Sequence, residues 1–310
     1  MSSIKKSIRP IAQYVYGFKV KRSLNQWIKE NELIIKERNH LVDSFSGERM
    51  LVLAPHVDDE IIGCGGAILQ SLEEGKEVHI AFLTDGRNKG SKDNAEDIIA
   101  ERKEEAIDVA RSIGVPEEHI HFLDAEDTNL VHEDLSKPLY DLFTTIKPNR
   151  VFLPVLIDTH IDHYAVSIKL FELYEEHPEV FEDTMLMIYE VQSPISPLYS
   201  NCVLDITTHM DKKRSLLTYY KSQNTTFKFL PIMNEFNGAL LDGGKYAELY
   251  IEVSPDVYMD FISEHFQDIT KYKELKSNLV VHIDYLTTLK SYDSVFKTKQ
   301  LLNKINKAQG

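Results

Sequence analysis

The sequence predicts an α/β fold: a mostly parallel sheet with helices on both faces and helical extensions at both ends of the chain. Three observations lead to this class. Short apolar runs alternate with helical patterns five times, as expected for parallel strands joined by crossover helices. Acids and histidines follow directly after several of these runs, where the sites of such sheets lie. The composition, 43% hydrophobic and 27% charged over 310 residues, is ordinary for a globular protein.

The predicted elements follow in order along the chain. Roughly helical spacing of apolar residues predicts a first helix over residues 23–45. The five predicted strands are short, mostly apolar runs over residues 50–54, 78–84, 120–123, 150–155 and 185–191. Helices are predicted between them over residues 61–74, 96–113, 135–146 and 163–176. Residues 266–310 lack strand patterning and are predicted to be helical.

Charge is distributed unevenly along the chain. Residues 1–29 carry seven positive side chains and no acid, whereas the whole chain has a net charge of −14. The acidic body argues against nucleic acid as the main partner, because phosphate binding needs basic clusters. In residues 1–22 the cations are interleaved with apolar side chains, so this segment is suited to an anionic membrane surface. The alternative is a helix packed on the body with its lysines in water.

These features divide the chain into three parts. We predict a basic, helical extension over residues 1–45, a catalytic α/β domain over 46–265 and a helical extension over 266–310. No apolar run approaches the ~20 residues of a membrane-spanning helix, and the start of the chain has no signal-peptide pattern. Two cysteines are too few for a disulfide framework. A cytoplasmic protein is predicted, with a peripheral position at the inner face of the membrane as an option.

An acidic motif follows the first predicted strand. Residues 55–60 read Pro-His-Val-Asp-Asp-Glu. Imidazole nitrogen and carboxylate oxygen are zinc ligands, and a His and an Asp three residues apart can point at one ion. The adjacent carboxylate can then take a proton from metal-bound water, whose pKa falls to about 7. The alternative is that these acids cap the next helix, a role that fits Glu60.

A histidine motif lies at the same predicted edge of the sheet. Residues 160–163 read His-Ile-Asp-His and follow the fourth predicted strand. One histidine can complete a metal triad, and the other can stabilise an oxyanion and protonate a leaving amine. Asp162, or Asp158 nearby, can orient a histidine. Joint occurrence with the acidic motif favours a metal-dependent hydrolase over two unrelated surface patches.

A glycine-rich stretch, Gly-Cys-Gly-Gly over residues 63–66, invites a nucleotide-binding interpretation. It begins after the acidic motif rather than directly after the strand, and the carboxylates at 58–60 would repel a pyrophosphate. Close packing of a helix on the sheet explains the glycines better. The nucleotide-binding module is therefore the weakest alternative, and the absence of a Gly-x-Ser-x-Gly motif disfavours a serine hydrolase.

The two motifs resemble those of a known family. Residues 55–60 resemble the Ala-His-Pro-Asp-Asp-Glu signature of LmbE-like, or PIG-L, deacetylases, and residues 160–163 resemble their His-Pro-Asp-His motif. The resemblance covers about residues 49–253. Its further segments are Arg-Lys-Glu-Glu-Ala at 102–106, Val-Leu-Asp-Ile-Thr at 203–207, Lys-Ser-Gln at 221–223 and Tyr-Ala-Glu at 246–248.

The resemblance implies a Rossmann-like fold and zinc-dependent removal of acetyl groups from N-acetylglucosamine-type sugars or glycoconjugates. It assigns metal binding to His56, Asp59 and His163. Asp58 would be the general base, and His160 would stabilise the oxyanion and act as acid. Zinc is the expected ion, with ferrous iron as an alternative, since two imidazoles disfavour magnesium.

The resemblance also suggests where the substrate binds. Arg102 and Asp127 stand where the family contacts the sugar or its aglycone, and Arg87 stands in a loop where many members have an acid. Val57 and Ile161 replace the prolines of the two motifs, so loop rigidity differs. The alternatives are hydrolysis of another amide, on a thiol-bearing glycoside or an antibiotic intermediate, and a non-catalytic sugar-binding protein.

Overall fold

The computed structural model describes five stretches of the chain: residues 22–23, 25–87, 94–156, 158–223 and 230–265. The predicted membrane-binding segment, residues 1–22, lies outside them except for its last residue. The predicted C-terminal helical extension, residues 266–310, lies entirely outside them. No helix among the described residues is both long and apolar enough to cross a membrane.

Eight strands of the described chain form one sheet. In chain order they are β1 (His40–Val42), β2 (Arg49–Ala54), β3 (Glu77–Thr84), β4 (Ile120–Ala125), β5 (Arg150–Pro154), β6 (Met185–Tyr189), β7 (Cys202–Asp205) and β8 (Ala247–Val253). Their order across the sheet is β1-β7-β8-β6-β5-β2-β3-β4. Neighbouring strands are parallel except where β8 pairs with β6 and β7. The predicted mostly parallel sheet is therefore confirmed.

Helices cover both faces of the sheet. They are α1 (residues 25–38), α2 (Asp59–Glu73), α3 (Ala95–Ile113), α4 (Ser136–Ile146), α5 (Ile161–Glu176), α6 (Met210–Leu216), α7 (Leu230–Gly238) and α8 (Pro255–His265). Buried side chains of α4, α5 and α8 share a core with one face of the sheet. Those of α2, α3 and α6 share a second core with the other face. The two cores make a three-layer molecule around the central strands.

The structure corrects two parts of the predicted element order. The predicted helix over 23–45 is wrong at its end, because α1 stops at residue 38 and β1 follows. β1 is three residues long and pairs with β7, so tertiary pairing rather than local periodicity defines it. β7 and β8 were also not predicted. Antiparallel β8 carries two acids within its seven residues, which hides its strand pattern.

The sheet order creates a crevice between β2 and β5. The chain proceeds from β2 to β3 and β4 on one side, and from β5 to β6 on the other. In open α/β sheets, ligands bind at the carboxyl ends of strands where the order reverses in this way. The loops that follow β2 and β5 carry the acidic and histidine motifs. The topology therefore brings the two motifs together at this edge.

Candidate metal and catalytic site

The loop between β2 and α2 holds three acids in different arrangements. Asp58, the residue before α2, has a φ of 119°, and its side chain makes no capping hydrogen bond in the described structure. Glu60 accepts a hydrogen bond from the Asp58 amide at 3.0 Å and another from the Tyr220 hydroxyl. Asp59 Oδ2 accepts from the His56 amide at 3.0 Å. Glu60 and Tyr220 thus anchor the loop, and the Asp58 carboxylate is left out of the helix cap.

Side chains from both loops meet in one cluster. Asp59 Oδ2 lies 3.2 Å from His56 Nδ1 and 3.3 Å from His163 Nε2. The ring centroids of His56 and His160 are 4.5 Å apart, and those of His160 and His163 are 5.3 Å apart. His163 is fully buried, and Asp59 is 3% exposed. The structure therefore brings the sequence-predicted histidines and Asp59 together.

Two overlapping groups in this cluster have the size of a metal site. In the first, ligand atoms of His56, His160 and His163 lie within 4.8 Å of one another. The second contains His56, Asp127, His160 and Asp162 within the same limit. The predicted triad has Asp59 in place of His160. Asp59 contacts both other members of that triad, so its role as a ligand stays a prediction that the distances support.

His163 shows that this cluster suits a cation. Its Nδ1 lies 2.8 Å from Asp158 Oδ2, and a carboxylate can only accept, so Nδ1 carries the proton. The buried Nε2 has no hydrogen-bond partner among the described residues, although Asp59 Oδ2 is 3.3 Å away. A ring nitrogen this close to a carboxylate oxygen needs a positive charge between the two atoms, which either a proton on Nε2 or a bound cation supplies. Burial lowers the pKa of His163, but the charges of Asp59 and Asp158 outweigh it and raise the pKa to about 10.

Two further aspartates hold the histidines from behind. Asp162 Oδ2 lies 3.1 Å from His56 Nε2 and accepts from the Thr128 amide at 2.7 Å. Asp158 Oδ2, beside His163, also accepts from the Gln192 amide at 3.2 Å. Both carboxylates are fully buried. The sequence suggested that Asp162 or Asp158 orients a histidine, without specifying which one. In the structure, Asp162 lies beside His56 and Asp158 lies beside His163.

His160 is the most exposed of the three histidines, with 28% of its side chain accessible. It precedes α5, and its Nδ1 accepts from the Asp162 amide at 3.3 Å. Because Nδ1 is an acceptor, the proton of the neutral ring is on Nε2, which can donate. Burial, followed by the charges of His56 and His163, lowers the pKa of His160 to about 4. The neutral ring is thus a hydrogen-bond donor to whatever occupies the crevice.

Asp58 has the opposite electrostatic environment. Burial, followed by the charges of Asp59 and Glu60, raises the pKa of Asp58 well above its usual range. The positive charges of His56 and Arg102 act against that shift. A carboxylate in such surroundings binds a proton more readily than one in water.

The three predicted substrate-binding residues lie at different depths. Arg102, 8% exposed, packs against Gly86 and donates from Nη2 to Gln223 Oε1 at 3.3 Å. Gly86 has a φ of 65°, a conformation that favours glycine, and a Cβ there would lie 2.8 Å from Arg102 Nη1. Asp127 Oδ1 lies 3.4 Å from His56 Nε2, deeper than a rim contact. Arg87 is 39% exposed and pairs with Asp85 at 2.5 Å.

Several residues that support the site were not singled out from the sequence. Tyr220, Gln192 and Ser193 are three of them, and Ser193 Oγ donates to Asp158 Oδ1 at 3.2 Å. They lie far along the chain from the motifs they contact, so no local pattern identifies them. The resemblance at 221–223 was the available signal. There, Gln223 Nε2 donates to the Val57 carbonyl at 2.9 Å and so braces the acidic motif.

The glycines after the acidic motif have a packing role. A Cβ at Gly63 would lie 2.1 Å from Tyr189 Cδ2, and one at Gly66 would lie 2.2 Å from Ile206 Cγ2. Helix α2 therefore approaches β6 and the end of β7 more closely than a larger residue would allow. This contact accounts for the glycines without a bound phosphate.

Comparison with known proteins identifies the central part of the chain. Residues 51–172 match the family model described as PIG-L, GlcNAc-PI de-N-acetylase. This stretch of the chain is therefore similar to the PIG-L, or LmbE-like, family. It is similar to diacetylchitobiose deacetylase of Thermococcus kodakarensis, with 31% identity over 123 residues, which are 37% of this chain and 45% of the relative. The chain thus matches less than half the length of that relative.

Solved structures share the fold over a longer range. N,N'-diacetylchitobiose deacetylase from Pyrococcus horikoshii is similar with a TM-score of 0.58 and 25% identity, covering 68% of this chain and 85% of that one. The 4-carboxy-2-hydroxymuconate hydratase GalB from Pseudomonas putida has a TM-score of 0.52 and 20% identity, covering 67% and 97%. The latter likeness concerns the fold alone. The reaction must therefore be argued from the site.

Proposed function

We propose that this chain is a metal-dependent hydrolase that removes the acetyl group from an N-acetylglucosamine-type sugar or glycoconjugate. The observation that carries the proposal is the unpartnered, buried Nε2 of His163, which faces Asp59 beside His56 and His160. Two deacetylases of acetylated sugars are among the similar proteins, which supports the substrate class.

His56, Asp59 and His163 are the residues that would hold the ion. Two imidazoles and a carboxylate are a donor set for zinc, with ferrous iron as the alternative. When bound, such an ion supplies Lewis acidity and lowers the pKa of a water molecule. Asp158 would fix the ring of His163 through Nδ1, and Asp162 would fix the ring of His56 through Nε2.

Asp58 would be the general base. Its carboxylate is adjacent to Asp59 in the chain, is 8% exposed and makes no helix-capping bond in the described structure. It is thus available to accept the proton of the attacking water. Glu60 is a poorer candidate, because its oxygens are taken by the Asp58 amide and the Tyr220 hydroxyl.

His160 would act on the acetyl oxygen and the departing amine. With Nδ1 engaged by the Asp162 amide, its Nε2–H can donate to the oxygen that gains negative charge. That charge stabilises the imidazolium, so the ring, 28% exposed, would take up a solvent proton at Nδ1 in place of the hydrogen bond from the Asp162 amide. The protonated ring can then give a proton to the amine nitrogen as the C–N bond breaks. The proton on Asp58 would return to solvent as the acetate leaves.

Sugar recognition would use the rim around the crevice. Arg102 and Arg87 supply donors, and Asp127 supplies an acceptor close to His56. We also propose a cytoplasmic setting, which the two free, buried cysteines, Cys64 and Cys202, support. Contact of residues 1–22 with an anionic membrane surface is a separate proposal that rests on their charge pattern.

The experiment is a mass-spectrometric screen of the zinc-loaded protein against N-acetyl sugars that are free, nucleotide-linked or lipid-linked. We expect loss of one acetyl group from at least one of them. His56→Ala and Asp59→Ala should each lose one equivalent of bound metal together with activity, whereas His177→Ala, a change at an exposed histidine near Glu179, should retain the metal content and activity of the wild type. The proposal fails if the two site variants keep metal content and full activity. Binding of amino sugars without any turnover would instead favour the sugar-binding alternative.

A further inference from the structure

A second group of potential metal ligands lies at the other end of the sheet. Glu77 and His79 are near the start of β3, and His119 ends the 3₁₀ turn Glu117–His119 that leads into β4. One ligand atom from each lies within 4.8 Å of the other two. Thr84 ends β3 at the catalytic edge, about 16 Å of strand away from His79 at about 3.3 Å per residue. This group therefore shares no residue with the candidate active site.

In this group the His79 side chain is buried, whereas the Glu77 side chain is open to solvent. His79 Nε2 lies 2.7 Å from Glu77 Oε1. The rings of His79 and His119 stack with their centroids 4.0 Å apart and 25° between their planes. The His79 side chain is 8% exposed, whereas that of Glu77 is 45% exposed. An ion can therefore enter from the Glu77 side and meet a ring that is already fixed by packing.

Neighbouring acceptors fix the ring nitrogens that would bind. His119 Nδ1 lies 3.2 Å from the Val78 carbonyl oxygen, so Nδ1 carries the proton and Nε2 has the free lone pair. His79 Nδ1 lies 3.2 Å from His121 Nε2. When a cation takes the place between His79 Nε2 and Glu77, the one proton of the neutral ring must move to Nδ1, from which it can donate to His121 Nε2. Ligand histidines in metal sites are commonly held in this way through the other nitrogen.

We propose that Glu77, His79 and His119 bind a divalent transition-metal ion of the zinc class at a site separate from the catalytic one. In a tetrahedral zinc site, neighbouring ligand atoms are about 3.3 Å apart. The Glu77 carboxylate must therefore move away from His79 by roughly half an ångström, which its partly exposed, flexible side chain allows. The His119 ring must also tilt out of its stack on His79, so that the lone pairs of both rings point at one ion. The ion ties the turn before edge strand β4 to β3 and so fixes the end of the sheet.

Zinc titration of the full chain, after chelation and dialysis, tests this site. We expect two equivalents for the wild type and one for His79→Ala/His119→Ala with an unchanged circular dichroism spectrum. His177→Ala is the matched control, because this histidine has Glu179 at 3.2 Å and belongs to none of the ligand groups among the described residues. It should still bind two equivalents. Equal zinc binding by the wild type and the double variant would overturn the proposal.

A second background separates this site from the proposed catalytic one. The variant His56→Ala/His163→Ala should keep one equivalent of zinc. Adding Glu77→Gln to that variant should lower its affinity for this zinc at least about tenfold. Because Glu77→Gln changes a partly exposed side chain, it also tests the second site if the His79→Ala/His119→Ala variant does not fold. Unchanged affinity after Glu77→Gln, or no zinc bound by His56→Ala/His163→Ala, would contradict the proposal. Neither outcome depends on whether the protein hydrolyses an acetylated sugar.

Discussion

The backbone of Asp58 is held in a conformation that few non-glycine residues adopt. Its φ is 119°, in the left-handed region, and such a conformation costs on the order of 1–3 kcal/mol. The bonds that keep it there come from neighbours: Glu60 binds the Asp58 amide, and Gln223 binds the Val57 carbonyl. The strained backbone thus directs the Asp58 carboxylate away from helix α2, which follows it.

Asp58→Asn tests whether that carboxylate is the base. The change keeps the size of the side chain and removes its ability to accept a proton. We expect kcat to fall by about 10²- to 10⁴-fold, with bound zinc unchanged, because Asp58 is not one of the proposed ligands. Steady-state kinetics and metal analysis of the same preparation check both parts. Loss of zinc together with activity would show that Asp58 holds the ion instead.

Asp158→Asn tests the support behind His163. An amide can still accept at one oxygen but brings no charge to the Nδ1–H of His163. We expect zinc affinity to fall by about 10- to 100-fold, measured by competition with a chelator. Asp141→Asn, at an exposed residue paired with Lys137, is the control and should bind zinc as the wild type does. Equal affinities in the two variants would remove Asp158 from the site.

At the level of single residues, the sequence predicted which side chains lie at the same edge of the sheet but not which of them are hydrogen-bond partners. His56, Asp59 and His163 could be placed on one edge, because both motifs follow strands. That Asp162 serves His56 and Asp158 serves His163 depends on side-chain directions across two loops. Asp127 was expected to contact the substrate, and the structure places its Oδ1 3.4 Å from His56 Nε2, a pairing that no local sequence pattern indicates.

Among the elements, α2 is joined to the sheet by a buried ion pair. Lys213 of α6 is fully buried, and its Nζ donates to Glu248 Oε1 at 2.7 Å and to the Ile62 carbonyl at 2.8 Å. Glu248, on β8, also accepts from the Gly66 and Ala67 amides of α2 at 2.7 and 3.0 Å. The pair therefore locks α2, α6 and β8 together behind the acidic motif.

Lys213→Met should destabilise the protein by about 3–5 kcal/mol, because it leaves the Glu248 charge buried without its partner. Urea unfolding followed by circular dichroism measures this change. In Lys213→Met/Glu248→Gln the uncompensated charge is gone while an acceptor for the α2 amides remains. The double variant should therefore be more stable than the single one. A loss below about 1 kcal/mol in Lys213→Met would mean that the pair contributes little.

The same pair explains why β8 was not predicted from the sequence. Glu248 gives β8 a polar residue at a buried position, and its partner lies 35 residues earlier, beyond any local window. β1 and β7 are three and four residues long, too short for a period to register. In contrast, α3 was predicted almost to the residue, since Asn94 caps its start and Gly114 its end.

For the molecule as a whole, one buried acid links stability to pH. Glu190 accepts from the Ile195 amide at 2.7 Å and from Asn237 Nδ2 at 2.5 Å, which connects the end of β6 to α7. Burial is the main cause that raises the pKa of Glu190 from 4.5 to about 7. The folded protein therefore holds this proton more tightly than the unfolded chain. Its contribution to stability is complete below pH ~4.5 and is lost as the pH rises to ~7.

Glu190→Gln should remove this pH dependence. Between pH 4.5 and 7.5, the stability of the wild type should fall relative to that of Glu190→Gln by up to about 3 kcal/mol. Comparing the two proteins across the range cancels the other titrating groups. Urea midpoints at pH 4.5, 6 and 7.5 provide the measurement. A constant difference between the two proteins at all three values would show that Glu190 does not titrate in this range.

The crevice between β2 and β5 has a consequence for how the protein is made. Asp59 and His163 are separated by about 100 residues, a stretch that a ribosome adds in roughly 5–20 s. During that interval the nascent chain contains His56 and Asp59 but not yet His163. The site cannot close until α5 has left the ribosome and β5 has joined β2. Binding of the proposed metal ion would thus come late in synthesis, after the middle of the sheet has been completed.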